Sequence, residues 1–398
     1  MGELEAFREE VRGWLLENAP RSLVGQSSSQ LEGTWGGRKA TYPNPDSRRW
    51  LDVAAERGFT APTWPTAYGG GGLSPAEAKV LQQEMRKLEL PLPLIGFGLT
   101  MIGPTLLQYG TEEQKLEHLP RICRGEIRWC QGYSEPSAGS DLASLKTRAV
   151  REGDTFVIDG EKVWTSYADL ADWMFALVRT DPEAKKQAGI TFLLLDMETP
   201  GVEVRPITLI SGSSPFCETF FKDVRVPVAN VVGTINGGWT VAKALLGHER
   251  SMIADAFGGG SGRGGGARLP ELAREYLGEA NGGVADPLLR DAIAQNEMDT
   301  RCFHLTVQRA RDAAKAGHAP GPESSLFKVY ATELNQRRYE LMIAIAGPQG
   351  LGWEGPGFDA EELARTREWL RSRGNTIEGG TSEIQLNIIA KRVLRLPD

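Results

Sequence analysis

The chain has 398 residues, of which 40 % are hydrophobic and 24 % are charged, and its formal net charge is −7. This composition is typical of a globular protein with two or three domains, and the acidic balance argues against a general binder of nucleic acid or of anionic membranes. Because charge or glycine interrupts every hydrophobic stretch, we expect no membrane-spanning helix.

The first residues, MGELEAFREEVRGWL, form an acidic amphipathic segment. We therefore expect neither a secretory signal nor a mitochondrial presequence, and a cytoplasmic location. Four histidines without HxxxH or HExxH spacing argue against a catalytic zinc site. The cysteines lack metal-type spacing and are too few for a disulfide scaffold, so we expect buried reduced thiols; they are Cys123, Cys130, Cys217 and Cys302.

The residue pattern of the first third of the chain predicts helices. Apolar residues recur at helical spacing from Leu4 to Leu15, and Pro20 ends that segment. Ser74-Pro75-Ala76-Glu77 combines an N-cap, a proline in the first turn and a capping-box glutamate. Thr111-Glu112-Glu113-Gln114 repeats the capping-box pattern just before a second helix. Upstream of both, Trp64 to Gly70 is a turn-rich connector.

From about residue 126 the pattern changes to strands. Thr155 to Trp164 contains two β-prone runs, and the Asp159-Gly160 step between them predicts a hairpin. Short strands at this spacing predict a small barrel or sandwich. The further strand candidates are Trp173–Arg179, Ile190–Asp196, Val202–Ile210 and Glu218–Val226.

Helical periodicity returns near Trp239 and continues to the end. The glycine-rich run from Gly258 to Gly266 favours a flexible connection; a phosphate-binding loop is the alternative, but the strand and motif that accompany such loops are missing. We predict a mainly helical α+β fold. Its domains are an N-terminal helical domain (1–125), a middle β-barrel or sandwich domain (126–234) and a C-terminal helical bundle (235–398).

Four stretches together carry a resemblance to a known family. They are Trp64-Pro65-x-x-Tyr68-Gly69-Gly70; Tyr133 to Asp141 (YSEPSAGSD) followed by Trp164-Thr165-Ser166; Val224-Arg225-Val226-Pro227 through Gly238-Trp239 to Glu249-Arg250; and Gly379 to Ile384 (GGTSEI) followed by Asn387 to Ala390. In composition and order they resemble the acyl-CoA dehydrogenases. The resemblance spans most of the chain and implies FAD, an acyl-CoA substrate and an electron-transferring flavoprotein as redox partner.

The second stretch carries most of the predicted cofactor site. Its hydroxyls and close backbone N–H groups suit anionic or carbonyl oxygens, and Trp164 offers a flat face for an isoalloxazine ring. Taken singly, a β-turn and a core tryptophan explain the same residues. By resemblance, Ser166 lies near flavin N5 and Ser140 lies towards the CoA. The predicted FAD contacts are Gln131, Tyr133, Ser134, Gly139, Ser140, Trp164, Thr165, Ser166, Gln349, Thr381 and Glu383.

Three alternatives stand for the catalytic base, namely Glu249, Glu378 and no base at all. Removing the α-hydrogen as a proton requires a carboxylate across the substrate from the flavin. In much of the family a glutamate directly precedes Gly-Thr in the last stretch, but Gly379 occupies that position here and Glu378 comes one residue earlier. The isovaleryl- and long-chain group instead uses Leu-x-x-Glu-Arg, which matches Leu246 to Arg250 and favours Glu249. The alternative for Glu249 is a non-catalytic carboxylate on a helix surface, paired with an arginine.

The last stretch also suggests a substrate contact. By resemblance, the Gly379 N–H and a ribityl hydroxyl bind the thioester carbonyl and acidify the α-C–H bond, and the turn with Thr381 and Glu383 lies beside the flavin. An ordinary N-cap explains Thr381 equally well. The family's Arg-x-x-Phe-Gly segment is absent, and the loop Gly347 to Gly350 matches its subunit-bridging counterpart only in part.

Three functions follow as hypotheses. The first is an acyl-CoA dehydrogenase that is a homotetramer or dimer and acts on branched, long or bulky acyl groups. The second is a partner subunit that supports flavin or CoA binding in a heteromeric assembly. The absence of the Arg-x-x-Phe-Gly segment motivates it. The third is an oxygen-using oxidase or monooxygenase on the same fold.

Overall fold

The computed structural model describes residues 2–26, 34–42, 44–247, 269–317, 321–322 and 324–397. The chain divides into two compact units, one built from residues up to 207 together with 215–248, the other from residues 208–214 and 249 onwards. In the described ranges no helix is long and apolar enough to cross a membrane. The domain boundaries at 125/126 and 234/235 stay a prediction.

Local signals set the N-terminal helices. Ser74 accepts a hydrogen bond from the Glu77 N–H while the Glu77 carboxylate accepts from the Ser74 N–H, and Thr111 and Gln114 repeat this capping box. Both predicted starts are therefore confirmed. The helices are α1 (Gly2–Asn18), α2 (Pro45–Glu56), α3 (Pro75–Lys87), a π-helical turn (Gly98–Ile102), α4 (Gly103–Tyr109) and α5 (Glu112–Cys123).

A mixed sheet follows these helices. Its seven strands have the order β1-β4-β2-β3-β7-β6, and β5 pairs with β4. The strands are β1 (Trp129–Gly132), β2 (Arg148–Glu152), β3 (Thr155–Ser166), β4 (Trp173–Arg179), β5 (Ile190–Asp196), β6 (Val202–Ile207) and β7 (Phe216–Pro227). β1 lies parallel to β4, whereas β3 is antiparallel to both β2 and β7. The four strand candidates after the predicted hairpin are thus present, with β6 shorter and β7 longer than predicted.

The hairpin predicted at Asp159-Gly160 is wrong, because β3 continues from Thr155 to Ser166 without reversing. The observed hairpin joins β2 to β3 at Gly153, which has a φ of 63°. Gly160 instead marks a register shift between β3 and β7. A Cβ atom there would lie 2.8 Å from the Thr147 Cα, so a contact with a neighbouring segment requires this glycine.

Two hydrophobic clusters include residues of the sheet. β4 and β5 are buried on both faces and read as continuous apolar runs. One cluster joins these strands to α4 and α5, and it includes Trp129, Tyr133 and Phe175. The other includes Phe156 and Ile158 of β3. The end of β1 is therefore held between apolar layers.

Helix α6 is described over 238–247, in the same unit as the sheet. The described part of the second unit consists of helices and turns together with a two-stranded sheet, β8 (Glu279–Ala280) with β9 (Gly283–Val284). Its helices are α7 (Leu269–Leu277), α8 (Pro287–Lys315), α9 (Ser324–Ala346), α10 (Ala360–Ser372) and α11 (Ser382–Ile388). The glycine-rich run from Gly258 to Gly266 lies outside the described residues. The predicted order of helices, sheet and helices is confirmed.

Candidate cofactor and substrate site

The segment after β1 is fastened to β3 by main-chain and side-chain bonds. The Val163 N–H donates to the Ser134 carbonyl over 2.9 Å. Lys162 Nζ donates to the Tyr133 carbonyl over 3.1 Å and to Glu135 Oε1 over 2.8 Å. These three bonds fix the backbone of residues 133–135 at the edge where β3 ends.

Lys162 and Glu135 form a buried ion pair: the lysine side chain is fully buried and the glutamate side chain is 5 % exposed. Glu135 also accepts hydrogen bonds from the N–H groups of Lys146 (2.6 Å) and Thr147 (2.9 Å). Burial alone would raise the pKa of Glu135, but the Lys162 charge and these hydrogen bonds hold it below its usual value. Burial lowers the pKa of Lys162 to about 8, and the Glu135 charge and hydrogen bond oppose this shift.

Trp164 stands out of the sheet at a bulge. The register between β3 and β7 shifts between Lys162 and Thr165, and Trp164 has a φ of 60°. A non-glycine residue in this left-handed region is strained, and such residues concentrate at functional sites. The indole contacts Phe216 edge-on, with ring centroids 5.9 Å apart, yet 54 % of the residue is exposed. The core-tryptophan explanation is therefore wrong for Trp164, and its face is available to stack on a flat ligand.

The two residues after Trp164 differ in what they can offer. The Thr165 hydroxyl is buried and donates to the Cys217 carbonyl over 2.8 Å, with Thr219 Oγ1 2.9 Å away. The Thr165 side chain is therefore occupied within the sheet. Ser166 is half-buried at the end of β3, paired in register with Phe216.

The same edge fits a polar, flat cofactor in one further respect. Gln131 Nε2 is buried near the end of β1 and has no hydrogen-bond partner in the described structure. A buried amide N–H without a partner is costly, so an acceptor from a bound molecule would complete it. The Tyr133 ring instead packs edge-on against Phe175 and Phe192 at 6.0 and 6.3 Å. The Tyr133 ring is therefore part of the hydrophobic core, and a role of this residue in cofactor binding stays a prediction.

The stretch after Glu135 forms a tight exposed turn. Glu135 and Ala138 exchange two main-chain hydrogen bonds of 3.1 and 3.0 Å. Gly139 and Ser140 follow on the surface, and a Cβ atom added to Gly139 would meet nothing within 4 Å. This turn agrees with the β-turn explanation and leaves the N–H groups and the Ser140 hydroxyl facing outward.

In the second unit, two glycines precede α11. Gly379 and Gly380 have φ values of 65° and 89°, and Thr381 caps the helix by accepting from the Ile384 N–H over 3.3 Å. The N-cap explanation for Thr381 is thus confirmed, and Glu383 is exposed in the first turn. Gln349 lies in the exposed turn Gly347–Leu351 and donates to the Gly357 carbonyl over 3.3 Å.

The structure describes one of the two glutamates predicted as the catalytic base. Glu249 lies outside the described residues. Glu378 is exposed, and both its carboxylate oxygens are engaged: Arg371 donates to one over 2.7 Å and Asn375 to the other over 2.6 Å. Both oxygens of the Glu378 carboxylate are thus already bonded within its own segment of the chain.

Sequence reasoning missed Lys162 and Glu135. The signal was present, because Lys162 shares the inward parity of Phe156 and Ile158 along β3, and a lysine at an inward position requires a buried partner. It also expected all four thiols to be buried, whereas Cys302 is exposed. Within the described ranges no cluster of three or more metal-ligating side chains is found.

Comparisons with known proteins agree along the whole chain. Family models for the N-terminal, middle and C-terminal domains of acyl-CoA dehydrogenases match residues 2–126, 130–224 and 236–394. The acyl-CoA dehydrogenase IpdE1 of Mycolicibacterium smegmatis is 37 % identical over 412 residues, covering 100 % of this chain and 99 % of that protein.

Two solved structures extend the likeness to the fold. The Tcur3481-Tcur3483 steroid ACAD shares 33 % identity at a TM-score of 0.75, covering 100 % of this chain and 98 % of that one. The ChsE4-ChsE5 complex from Mycobacterium tuberculosis shares 28 % identity at a TM-score of 0.73, with 100 % and 98 % covered. The resemblance and the three-domain fold predicted from sequence are confirmed, and the chain belongs to the acyl-CoA dehydrogenases, a family of oxidoreductases that act on CH–CH bonds and typically depend on flavin.

Proposed function

We propose that this chain binds FAD and dehydrogenates an acyl-CoA thioester to the 2-enoyl-CoA, with an electron-transferring flavoprotein as acceptor. The observation that carries the proposal is the edge formed by residues 131–135 and the Trp164 bulge. There an exposed indole stands beside a pinned backbone, and a buried Gln131 amide has no partner in the described structure. Bound FAD would supply the acceptor for the hydride that leaves the β-carbon.

The residues of this chain have separate tasks in the proposed reaction. Trp164 covers one face of the flavin ring, the amide of Gln131 and the backbone around Ser134 bind its polar edge, and Ser166 faces N5. The Gly379 N–H polarises the thioester carbonyl, which makes the α-hydrogen more acidic. Ser140 binds on the CoA side. Gln349, Thr381 and Glu383 contribute cofactor contacts from the second unit.

We assign the α-proton to Glu249. The Leu-x-x-Glu-Arg match supports this choice, and so does the engagement of Glu378 by Arg371 and Asn375, because a base must have a free oxygen lone pair facing the substrate. The relative named a steroid ACAD supports a bulky acyl substrate. We further propose a cytoplasmic, oligomeric enzyme.

The test is an anaerobic titration of the purified flavoprotein with short, branched, long and steroid-like acyl-CoAs, followed by flavin absorbance. The wild type and Glu378→Gln should bleach with one chain class, whereas Glu249→Gln should not. Bleaching that survives Glu249→Gln but not Glu378→Gln would transfer the role of base to Glu378. Rapid reoxidation by air with release of peroxide would instead identify an oxidase.

A second candidate is a subunit of a mixed assembly. The Tcur3481-Tcur3483 and ChsE4-ChsE5 structures each name two different chains, and this chain lacks the family's Arg-x-x-Phe-Gly segment. Under this reading the chain purified alone is colourless and gains flavin only when co-expressed with a related chain. Stoichiometric flavin in the chain alone would exclude it.

A further inference from the structure

Arg128, directly before β1, is buried without an ionic partner. Only 8 % of the residue is exposed, and its guanidinium makes no ion pair or side-chain hydrogen bond in the described part of the chain. Its Nε is buried and unpartnered. Buried arginines are nearly always paired, because an uncompensated buried charge is costly.

Two aromatic rings hold this guanidinium in place. Its Cζ lies 4.5 Å from the ring centroid of Trp35 and 5.0 Å from that of Tyr167. The nearby carboxylate of Asp172 is occupied by main-chain donors, since it accepts from the N–H groups of Arg38 and of Arg128 itself. The cation–π contacts fix the position of the guanidinium but satisfy none of its N–H groups.

Arg128 lines a small cavity whose other lining side chains are aliphatic or aromatic. The cavity encloses about 10 Å³, room for a single oxygen atom of water size. The lining side chains include Trp35, Leu94, Phe97, Ile122 and Trp129, and none of the lining side chains carries a hydrogen-bond acceptor. Trp129 Nε1 is a second buried N–H without a partner. The side chains that line the cavity therefore offer hydrogen-bond donors and no acceptor, which suits a ligand that brings an acceptor oxygen.

The cavity also lies at the start of β1, the strand that leads to the proposed flavin site at residues 131–135. Arg128 precedes Gln131 by three residues and Ser134 by six, which is roughly 10 to 20 Å of extended chain. Its opposite wall is the segment that enters the π-helical turn Gly98–Ile102, and π-turns are frequent at functional sites. Phe97 and Leu99 from that wall pack against the same core cluster as Tyr133.

We propose that Arg128 binds an oxygen acceptor, a ketone or carboxylate oxygen, carried by the acyl group at a distance from the thioester. This inference rests on the proposed function, because it assigns the substrate class of that site. The preferred substrate is an apolar acyl-CoA with one oxygen function near the far end of its acyl group. Trp35 and Tyr167 act as positioning residues for the guanidinium.

The test compares decanoyl-CoA with its (ω−1)-oxo and ω-carboxy derivatives on the holoenzyme. A hydrogen bond to a charged group implies a preference of roughly 10- to 100-fold in kcat/KM for an oxygenated substrate. Arg128→Met should remove that preference, so that the oxygenated substrates lose far more of their kcat/KM than decanoyl-CoA does. The exposed Arg148, which pairs with Asp159, supplies the matched control Arg148→Met, which should keep the preference.

Several outcomes would overturn the inference. They are equal wild-type rates on the plain and oxygenated substrates, an equal loss on both in Arg128→Met, and the same change in Arg148→Met. If Arg128→Met does not fold, Arg128→Lys takes its place and should shrink the preference, since lysine keeps the charge but loses the planar fork.

Failure of the proposed function is distinguished by calorimetry. If no thioester is dehydrogenated, the proposed function is wrong. Binding of the same three thioesters, measured by calorimetry, then still tests the role of Arg128. The inference then stands only if an oxygenated thioester binds at least ~10-fold tighter than decanoyl-CoA to the wild type and loses this advantage in Arg128→Met. Equal affinities of the wild type for all three thioesters would refute the inference.

Discussion

Replacing Lys162 by methionine should destabilise the protein strongly, because it leaves the Glu135 carboxylate buried without its counter-charge. The variant loses the bond to Glu135 (2.8 Å) and the bond to the Tyr133 carbonyl (3.1 Å). Two N–H donors, from Lys146 and Thr147, remain on the carboxylate. Removing one partner of a buried ion pair typically costs ~3–5 kcal/mol.

An independent limit comes from protonation. Glu135 can escape its buried charge by taking up a proton, and at pH 7 this costs ~1.4 kcal/mol for each unit above the ordinary pKa of 4.5, about 3.4 kcal/mol in all. The two routes agree on ~3 kcal/mol. They also fix the sign of the pH dependence. In the variant the folded-state pKa of Glu135 is raised, so the loss of stability is largest at pH 7 and shrinks by ~2–3 kcal/mol towards pH 5.

The measurement is urea unfolding of the holoenzyme at pH 5 and pH 7, with flavin release followed in parallel. Lys162→Met combined with Glu135→Gln should recover part of the loss, because no charge stays buried. The exposed control Arg148→Met should leave stability nearly unchanged. A loss in Lys162→Met no larger than in this control, or one that is equal at both pH values, would refute the reasoning.

Three further predictions concern other positions. Burial lowers the pKa of His118 to about 4, so protonation of the unfolded chain should remove ~3 kcal/mol of stability between pH 6.5 and 4; His118→Phe should flatten this part of the stability curve in urea unfolding. Gly160→Ala should lower the urea midpoint more than Gly139→Ala does, since its Cβ would meet Thr147 at 2.8 Å whereas Gly139 faces open space. Trp164→Ala should weaken FAD affinity, measured by flavin release on dilution, with little change in stability, because the indole is more than half exposed; a stability loss typical of a core tryptophan would count against the exposed stacking face.

The sequence predicted elements whose signals are local and missed those that depend on distant neighbours. The capping boxes at Ser74 and Thr111 and the apolar strands β4 and β5 are encoded within a few residues. Asp159-Gly160 has the composition of a turn, but Thr147, on another segment, explains why a glycine is required there within a continuous strand.

The same reasoning applies to the candidate site. The motif residues around Ser134 and Trp164 were identified from sequence, and the structure pins residues 133–135 to β3 with Trp164 at the end of that strand. The residue pattern of β3 does not predict the bulge that exposes Trp164. The pattern around β1 likewise does not predict that the Arg128 guanidinium is buried without an ion pair in the described part of the chain. Both depend on register and burial set by strands far away in the chain, which a single sequence does not specify.

The strand order has a consequence for the timing of assembly. β1 pairs with β4, more than 40 residues later, and the Trp164 end of β3 pairs with the Phe216 end of β7, about 50 residues later. A ribosome adding roughly 5–20 residues per second therefore leaves β1 and the Trp164 end of β3 without these partners for several seconds. A nascent chain that ends before residue 216 lacks the strand that sets the Trp164 bulge. If Trp164 covers the flavin, as we propose, the cofactor can bind only after β7 has been translated.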